Sequence, residues 1–346
     1  MNREKLRRLG VALPLLPTTT VGSFPKTEAL MQARRQFTRG EISSAELETE
    51  GRRATEYWIR VQEQLGLDVL VDGEMYRGDM VAYFAENMRG FTPGGLVRSY
   101  GNRYYRKPLI VAEVHWTGPI TVGWWRFAQS LTPKPVKGML TGPYTIMDWS
   151  FIEHYPDRRA ACLALAREVR HEVEALVEAG AKIVQIDEPA LSVRPEELAF
   201  AVEALRVVTD GLPAYFITHA CYGAFETIYP GMLDLPVDNL DLAISHSSLD
   251  LLSIFARHPY TKDMSVGVVD VHSHEIEPRS EVLARIRRAT RLLAPESIWI
   301  GPDCGLKTRT VREAEAKLAQ MMDATLEIRR DLETGGAPAS PSRDAP

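Results

Sequence analysis

The sequence predicts an α/β fold of the (β/α)8 barrel class, in which parallel strands form a closed sheet surrounded by helices. Short apolar and β-branched runs recur along the chain, separated by longer segments with apolar residues every three or four positions. Several of these runs are almost continuously apolar, as parallel strands covered on both faces usually are. Eight such runs are present, which is the number of strands in this barrel.

Candidate strands and helices alternate along most of the chain. The predicted strands are residues 19–23, 69–73, 136–141, 183–187, 214–218, 240–245, 265–271 and 298–301. The predicted helices are residues 44–65, 158–179, 195–209, 249–257, 279–294 and 310–332. The helix at 158–179 is followed by Gly180, a residue type that commonly ends helices. Between the second and third strands we predict a β-hairpin insertion at residues 99–116 that shapes one side of the barrel mouth.

The sequence is expected to contain one folded domain. Its 346 residues, 45% of them hydrophobic, are sufficient for one large core. We predict a leader arm at residues 1–17, a barrel domain at residues 18–333 and a disordered tail at residues 334–346. The tail is predicted from its small, polar and proline-rich composition.

Composition excludes several classes of function. A net charge of -5, with acidic and basic residues interspersed, provides no basic surface for nucleic acid. No apolar stretch approaches the ~20 residues that a membrane-spanning helix needs. Three cysteines are too few for a disulfide framework in a chain of this length, which is typical of a cytoplasmic protein. The apolar run near the start is short and interrupted by Pro14, so no secretion signal is predicted.

Residues with catalytic potential directly follow the predicted strands. In (β/α)8 barrels the catalytic groups lie at the carboxyl ends of the strands. Acidic, imidazole and thiol groups occur there in the segments Asp72-Gly73-Glu74, Asp187-Glu188, His219-Ala220-Cys221, Ser245-His246, Asp270-Val271-His272 and Asp303-Cys304. We therefore expect these side chains to converge at one rim of the barrel.

One histidine and two cysteines at this rim predict a zinc site. His219 and Cys221, taken by themselves, are a weak signal, because both could be packing residues at the end of a strand. Cys304 follows the eighth strand, and an imidazole with two thiolates is a ligand set that suits Zn²⁺. Cys162 lies in an alanine-rich helix and is expected to be a small buried apolar residue. Asp187 closes an apolar strand and is expected to face the mouth, whereas Glu188 has the alternative of satisfying backbone donors.

Seven sequence blocks follow one another in a fixed order along the chain. They are TTTVGSFPKT (18–27), DGEMYRGDMVAYFAE (72–86), KGMLTGPYTIMDWSF (137–151), QIDEPAL (185–191), THACY (218–222), VVDVHS (268–273) and GPDCGLKTR (301–309). Together these blocks resemble the catalytic, C-terminal barrel of cobalamin-independent methionine synthase, and the resemblance covers roughly residues 18–322. Several such blocks are far more specific than a single His-x-Cys motif.

The resemblance implies a zinc-dependent methyltransferase that converts homocysteine into methionine. It implies that His219, Cys221 and Cys304 bind Zn²⁺, with the homocysteine sulfur entering as a thiolate. The residues implied to bind homocysteine are Glu74 and Asp187 for its amino group, and Val21, Gly22 and Ser23 for its carboxylate. His272, two residues after Asp270, is implied to supply a proton to the departing folate nitrogen.

The sequence also departs from the family pattern where the methyl donor is expected to bind. The N-terminal barrel that helps the family's enzymes hold polyglutamylated folate is absent from this sequence, and Ser192 stands near the position of a pterin-contacting glutamate. Arg103 on the insertion is retained but is followed by Tyr104 instead of cysteine, and Trp149 is retained to stack on a pterin or another bulky donor. We therefore expect a methylated corrinoid, free or on a corrinoid protein, with methyltetrahydrofolate as the other donor.

The fourth zinc ligand is the second departure. The family uses a glutamate at the end of the sixth strand, and Ser245 occupies that position here. The adjacent His246 is the candidate replacement, since imidazole is a common zinc ligand. The alternative is a three-ligand site that water completes until the thiol binds.

Two other functions are compatible with part of this pattern. Zinc alkyltransferases of the epoxyalkane:coenzyme M type share the His-x-Cys motif and the distant cysteine. Their sulfonate thiol has no ammonium group for Glu74 and Asp187 to bind, so homocysteine is the preferred substrate. A barrel without activity, acting as a carrier or assembly partner, does not require these juxtaposed reactive side chains.

Overall fold

The computed structural model describes residues 2–98, 104–220, 225–242, 254–255 and 257–334. The strands are β1 (Met88–Thr92), β2 (Leu96–Arg98), β3 (Tyr104–Arg106), β4 (Leu109–Trp116), β5 (Gly138–Thr141), β6 (Phe151–Ile152), β7 (Ile183–Asp187), β8 (Tyr215–Ala220), β9 (Asn239–Leu242), β10 (Asp263–Val269) and β11 (Ile298–Pro302). The α-helices are Asn2–Arg8, Glu28–Thr38, Ser44–Leu65, Met80–Glu86, Val122–Ser130, Pro143–Asp148, Arg158–Ala179, Leu198–Thr209, Phe225–Ile228, Arg279–Leu292 and Val311–Glu333. Short 3-10 helices lie at Pro189–Ser192, Pro195–Glu197, Gly231–Asp234 and Pro295–Ser297.

The parallel strands form a closed barrel. Strands β5, β7, β8, β9, β10 and β11 are neighbours in that order. Two short segments close the ring: Thr18 pairs with Ile300 of β11, and Leu70 pairs with Val136 just before β5. These two segments also join each other, because the backbone N–H of Val69 donates to the carbonyl of Thr18 at 3.0 Å. The predicted (β/α)8 barrel is therefore confirmed.

The first two barrel positions are less regular than the sequence predicts. Residues 19–23 and 69–73 were expected to be full strands, but the first position has one isolated bridge at Thr18, just before the predicted strand, and the second has one at Leu70. After Val71 the backbone leaves the strand conformation, since Gly73 and Glu74 have positive φ angles of 78° and 58°. Most of the predicted helix at 249–257 and almost all of the predicted tail lie outside the described residues.

The insertion between the second and third barrel positions differs from a single hairpin at residues 99–116. Strand β3 pairs antiparallel with β2, and β4 pairs antiparallel with β1. The two halves of the predicted hairpin thus pair with strands that precede it, instead of with each other. Strand β4 also pairs in parallel with β6, which ties the insertion to the segment after the helix Pro143–Asp148.

Side-chain and glycine caps set the ends of the long helices. Ser43 and Glu46 form a reciprocal capping box at the start of Ser44–Leu65, and Thr310 and Glu313 form another before Val311–Glu333. The helix Arg158–Ala179 ends at Gly180 with a φ of 112°, as predicted. Among the described helices, none is both long and apolar enough to span a membrane.

The predicted leader arm contains a helix that covers the amino-terminal end of the barrel. Leu6 and Val11 are buried against strand residues in a small core separate from the main one. The strand residues of this core are Val69, Ile183, Tyr215, Ile217 and Trp299. Lys5 adds an ion pair of 2.7 Å with Asp238, just before β9. The carboxyl-terminal end therefore remains as the side on which a site forms.

Truncation of Leu6 tests this cover. Leu6 is 4% exposed, so Leu6→Ala should lower the free energy of unfolding by about 2–4 kcal/mol through lost burial and a residual cavity. Leu326→Ala is the matched control, because Leu326 is 44% exposed on its helix and should change stability by less than about 1 kcal/mol. Equal effects of the two substitutions in denaturant titrations would contradict a packed leader.

Candidate functional site

The pairing of four parallel strands aligns polar side chains at one level of the barrel. Thr141 of β5 is paired with Asp187 of β7, Asp187 with His219 of β8, and His219 with Asp241 of β9. Residues paired in this way direct their side chains to the same face. All four side chains are buried. The sequence-based expectation that strand-end groups converge therefore holds for Asp187 and His219, and it extends to Asp241.

His219 lies between a carboxylate and a sulfur. Its Nδ1 is 3.5 Å from Oδ2 of Asp241, and its ring is also next to the thiol of Cys304. Burial by itself lowers the pKa of His219, but Asp241 and Cys304 outweigh burial and raise this pKa well above its ordinary value. Both ring nitrogens are buried, and neither has a hydrogen-bond partner with good geometry among the described residues.

The residues around His219 fit a zinc ion. Imidazole nitrogen, cysteine sulfur and carboxylate oxygen are all zinc ligands, and unbonded buried ring nitrogens are costly unless something binds them. Two of the predicted ligands, Cys221 and His246, lie outside the described residues. Among the described residues, no group of three histidine, cysteine or acidic side chains is close enough together to hold a metal ion. Cys162 is fully buried in its helix, as predicted.

Glu74 is fixed beside this level by its own loop. Its backbone N–H donates to Asp72 at 2.8 Å, and this bond stabilises the left-handed backbone of Glu74. The Glu74 carboxylate forms an ion pair of 2.7 Å with Arg77, whose side chain is 2% exposed. A guanidinium so deeply buried needs a nearby anion, and this ion pair orients the Glu74 carboxylate.

Asp187 is oriented by a polar network inside the barrel. The Gln185 amide donates to the Asp187 carboxylate and to the carbonyl of Val21, both at 2.7 Å. The buried ammonium of Lys137, 1% exposed, donates to the side-chain carbonyl oxygen of Gln185. Burial lowers the pKa of Lys137 to about 8, opposed by Asp241, Asp187 and Glu74. Burial raises the pKa of Asp187 to about 6, opposed by His219.

Residues 21–23 pass close to Glu74 and to the segment after β11. A Cβ added to Gly22 would lie 2.8 Å from Oε1 of Glu74, so glycine allows this close approach. The carbonyl of Ser23 accepts a hydrogen bond from the backbone N–H of Leu306 at 2.7 Å. The segment that follows Cys304 therefore lies against the segment proposed to bind the amino-acid carboxylate.

Glu188 has the structural role that the sequence left open. Its carboxylate accepts hydrogen bonds from the backbone N–H groups of Tyr144 and Thr145, at 3.0 and 2.7 Å. These groups begin the helix Pro143–Asp148, where a negative charge is favourable. Burial nevertheless raises the pKa of Glu188 to about 7, opposed by these hydrogen bonds. Its backbone N–H also donates to the carbonyl of His219, which fixes the end of β8.

The residues predicted to face the methyl donor are less enclosed. Trp149 ends the helix Pro143–Asp148 and is partly buried against the main core. His272 is exposed on the loop after β10, and its backbone N–H donates to the Asp270 carboxylate at 2.7 Å. The Asp270 N–H donates in turn to Glu277, which is paired with the buried Lys317 at 2.8 Å. Arg103 lies outside the described residues.

Four residues of the site are missing from the sequence-based prediction. They are Arg77, Lys137, Gln185 and Asp241. Three of them are polar residues in or next to otherwise apolar barrel strands, and this interruption is the signal that identifies them. Arg77 follows a strand by several residues, and nothing in its local sequence indicates that it is buried.

The pH dependence of stability tests the buried setting of Asp72. Burial raises its pKa to about 6, opposed mainly by Arg77. The folded chain therefore holds this proton more tightly than the unfolded chain, and stability falls as the pH rises from about 4 to about 6. Asp72→Asn should remove this contribution and stabilise the protein, relative to wild type, by up to about 3 kcal/mol above pH 6. Parallel pH profiles of the unfolding free energy for the two proteins would contradict the assignment.

A family model and several proteins match this chain. The model described as "Cobalamin-independent synthase, Catalytic domain" matches residues 16–327. The 5-methyltetrahydropteroyltriglutamate–homocysteine methyltransferase of Mesorhizobium japonicum is 42% identical over 344 residues, covering 96% of this chain and 44% of the relative. The protein of the same name from Xylella fastidiosa is 40% identical over 341 residues, covering 95% and 45%. The chain thus spans less than half the length of these relatives.

Solved structures show the same fold. A B12-independent methionine synthase from Shewanella in complex with selenomethionine aligns with a TM-score of 0.82 at 24% identity, covering 92% of this chain and 99% of that one. The putative B12-independent methionine synthase of Listeria monocytogenes aligns with a TM-score of 0.73 at 19% identity, with the same coverages. At these identities the alignments support the barrel architecture.

Proposed function

Since this chain belongs to the cobalamin-independent synthase family through its catalytic domain, we propose that it transfers a methyl group to the sulfur of homocysteine and so forms methionine. The observation that carries the proposal is the position of His219 and Cys304 beside the carboxylates of Asp187 and Glu74. This arrangement combines a group for binding a thiol sulfur with groups for binding an ammonium ion.

The two carboxylates select an amino-acid thiol. Asp187 is held by Gln185 and Glu74 by Arg77, so both carboxylates keep a fixed orientation before substrate arrives. The homocysteine ammonium binds between them, and the backbone around Val21, Gly22 and Ser23 receives the homocysteine carboxylate. A thiol with a sulfonate in place of the ammonium group would be repelled here.

His219, Cys221 and Cys304 hold a zinc ion in this proposal, with His246 as a further candidate ligand. When bound, zinc lowers the pKa of the homocysteine thiol, so that the substrate is a thiolate at neutral pH. The ring nitrogens of His219 support this assignment, since they are buried without hydrogen-bond partners in the described part of the chain.

The names of the relatives favour a folate-type donor over the corrinoid expected from the sequence. The names of the proteins from Mesorhizobium japonicum and Xylella fastidiosa both specify methyltetrahydropteroyltriglutamate as the methyl donor. We assign the same class of donor to this chain, with Trp149 against the pterin and Arg103 as a further candidate for donor binding. The partly buried position of Trp149 leaves part of its surface for such a contact.

The reaction then needs one proton on the donor side. The homocysteine sulfur forms a bond to the methyl carbon, the bond between that carbon and the donor nitrogen breaks, and the nitrogen takes a proton. His272 supplies this proton, and Asp270 positions it by accepting the His272 backbone N–H. The exposed position of His272 lets its ring recover a proton from solvent.

Single-turnover assays with the zinc-loaded chain test the proposed reaction. Homocysteine is mixed with methyltetrahydropteroyltriglutamate, methyltetrahydrofolate or methylcobalamin, and methionine is measured. Product from the triglutamate donor is the expected result. Product from methylcobalamin and not from folate would show that the donor is a corrinoid, as the sequence predicted. Alkylation of coenzyme M in place of homocysteine, or no product from any pair, would disprove homocysteine methylation.

Cysteine substitutions test the metal assignment. Cys304→Ser and Cys221→Ser should lose zinc and methionine formation together, because each removes a thiolate ligand. Cys162→Ser is the control, since Cys162 lies in a helix away from the strand ends and should retain zinc and most activity. Zinc is measured by elemental analysis of the purified variants. Stoichiometric zinc and full turnover in the Cys304→Ser protein would rule out the assignment.

A further inference from the structure

Asp241 is a buried acid at the level of the proposed metal site. It lies on β9, the sixth barrel strand, and is paired in register with His219 of β8. Its side chain is only 5% exposed. A carboxylate in such a position is expensive to bury unless a cation or several hydrogen-bond donors compensate its charge. Lys137, the nearby buried cation, is also shared with Asp187 and Glu74.

The distance between Asp241 and His219 distinguishes two possible roles. Oδ2 of Asp241 is 3.5 Å from Nδ1 of His219, and this ring nitrogen has no well-formed hydrogen bond. Two ligands of one tetrahedral zinc, each about 2.0–2.2 Å from the metal, are separated by roughly 3.4 Å. The measured separation is therefore longer than the usual N–H···O bond and close to that of two ligands that share a metal.

We propose that Asp241 is the fourth ligand of the zinc site. From the sequence, His246 and water were the candidates for this position. This inference rests on the proposed function, which supplies the zinc. Asp241 lies four residues before Ser245, so the acidic ligand comes from within β9 and not from the end of the sixth strand. His219 and Asp241 then contribute nitrogen and oxygen from two neighbouring strands, and Cys304, whose thiol lies next to the His219 ring, closes on the metal when it binds.

Metal binding to the purified 346-residue chain tests this assignment without an activity assay. Zinc affinity is measured by competition with a chromophoric chelator for wild type, Asp241→Ala, Asp241→Asn and Asp241→Glu. Asp241→Ala and Asp241→Asn should each weaken zinc binding by about tenfold or more, and Asp241→Glu, which keeps the carboxylate, should recover part of the loss. Loading with Co²⁺ should give visible d–d bands that shift in Asp241→Ala, because one ligand to the metal changes.

Asp263→Asn is the matched control for loss of a buried acid. Asp263 lies on the neighbouring strand β10, is 3% exposed, and accepts a hydrogen bond from the Tyr215 hydroxyl at 2.6 Å. It belongs to the amino-terminal end of the barrel, so this substitution should leave zinc affinity and the Co²⁺ spectrum unchanged. His246→Ala should also retain wild-type zinc affinity, since Asp241 takes the place that His246 would fill.

The outcomes separate this inference from the proposed function. Wild-type zinc affinity in Asp241→Ala would overturn the inference while leaving the proposed function intact. A weaker affinity with an unshifted Co²⁺ spectrum would also overturn it, because Asp241 would then only orient His219. If neither the wild-type chain nor His219→Ala binds zinc, the proposed function itself is wrong.

Discussion

The burial of several carboxylates at one end of the barrel is the constraint on which the rest of the site depends. Asp187 and Asp241 are buried and Glu74 is partly buried within a small region, where like charges raise each other's energy. The chain offsets this cost with two buried cations, Arg77 and Lys137. A positively charged substrate group and a divalent metal would complete the compensation.

The strand register places the buried polar groups at one level of the barrel. Because β5, β7, β8 and β9 are parallel and continuous, Thr141, Asp187, His219 and Asp241 reach the same level without local adjustment. The first two barrel positions behave differently, since their backbone leaves the sheet early and carries Gly22 against Glu74. The regular strands thus carry Asp187, His219 and Asp241, while the irregular segments carry Glu74 and Gly22.

The two sides of the proposed reaction are held with different rigidity. The acceptor side is built from buried strand residues with short hydrogen bonds, such as those of Gln185 at 2.7 Å. The donor side depends on the end of a short helix, the insertion and the loop that carries His272. That loop is nevertheless anchored, because Glu277 joins the Asp270 backbone to the buried Lys317. A large donor is more easily admitted by loops than by a closed strand network.

The sequence by itself determined the barrel class, the longest helices, the six regular barrel strands and the residues at the strand ends, including Asp187, His219 and Cys304. These follow from periodicity and from the rule that barrel strands end at the site, which are local properties of the chain. The tertiary structure decided which polar residues face one another. Asp241 and Lys137 interrupt apolar strands in the sequence, but their relation to His219 and Asp187 depends on register between strands far apart in the chain. The burial of Arg77 and the pairing of the insertion likewise depend on long-range packing, which local sequence does not encode.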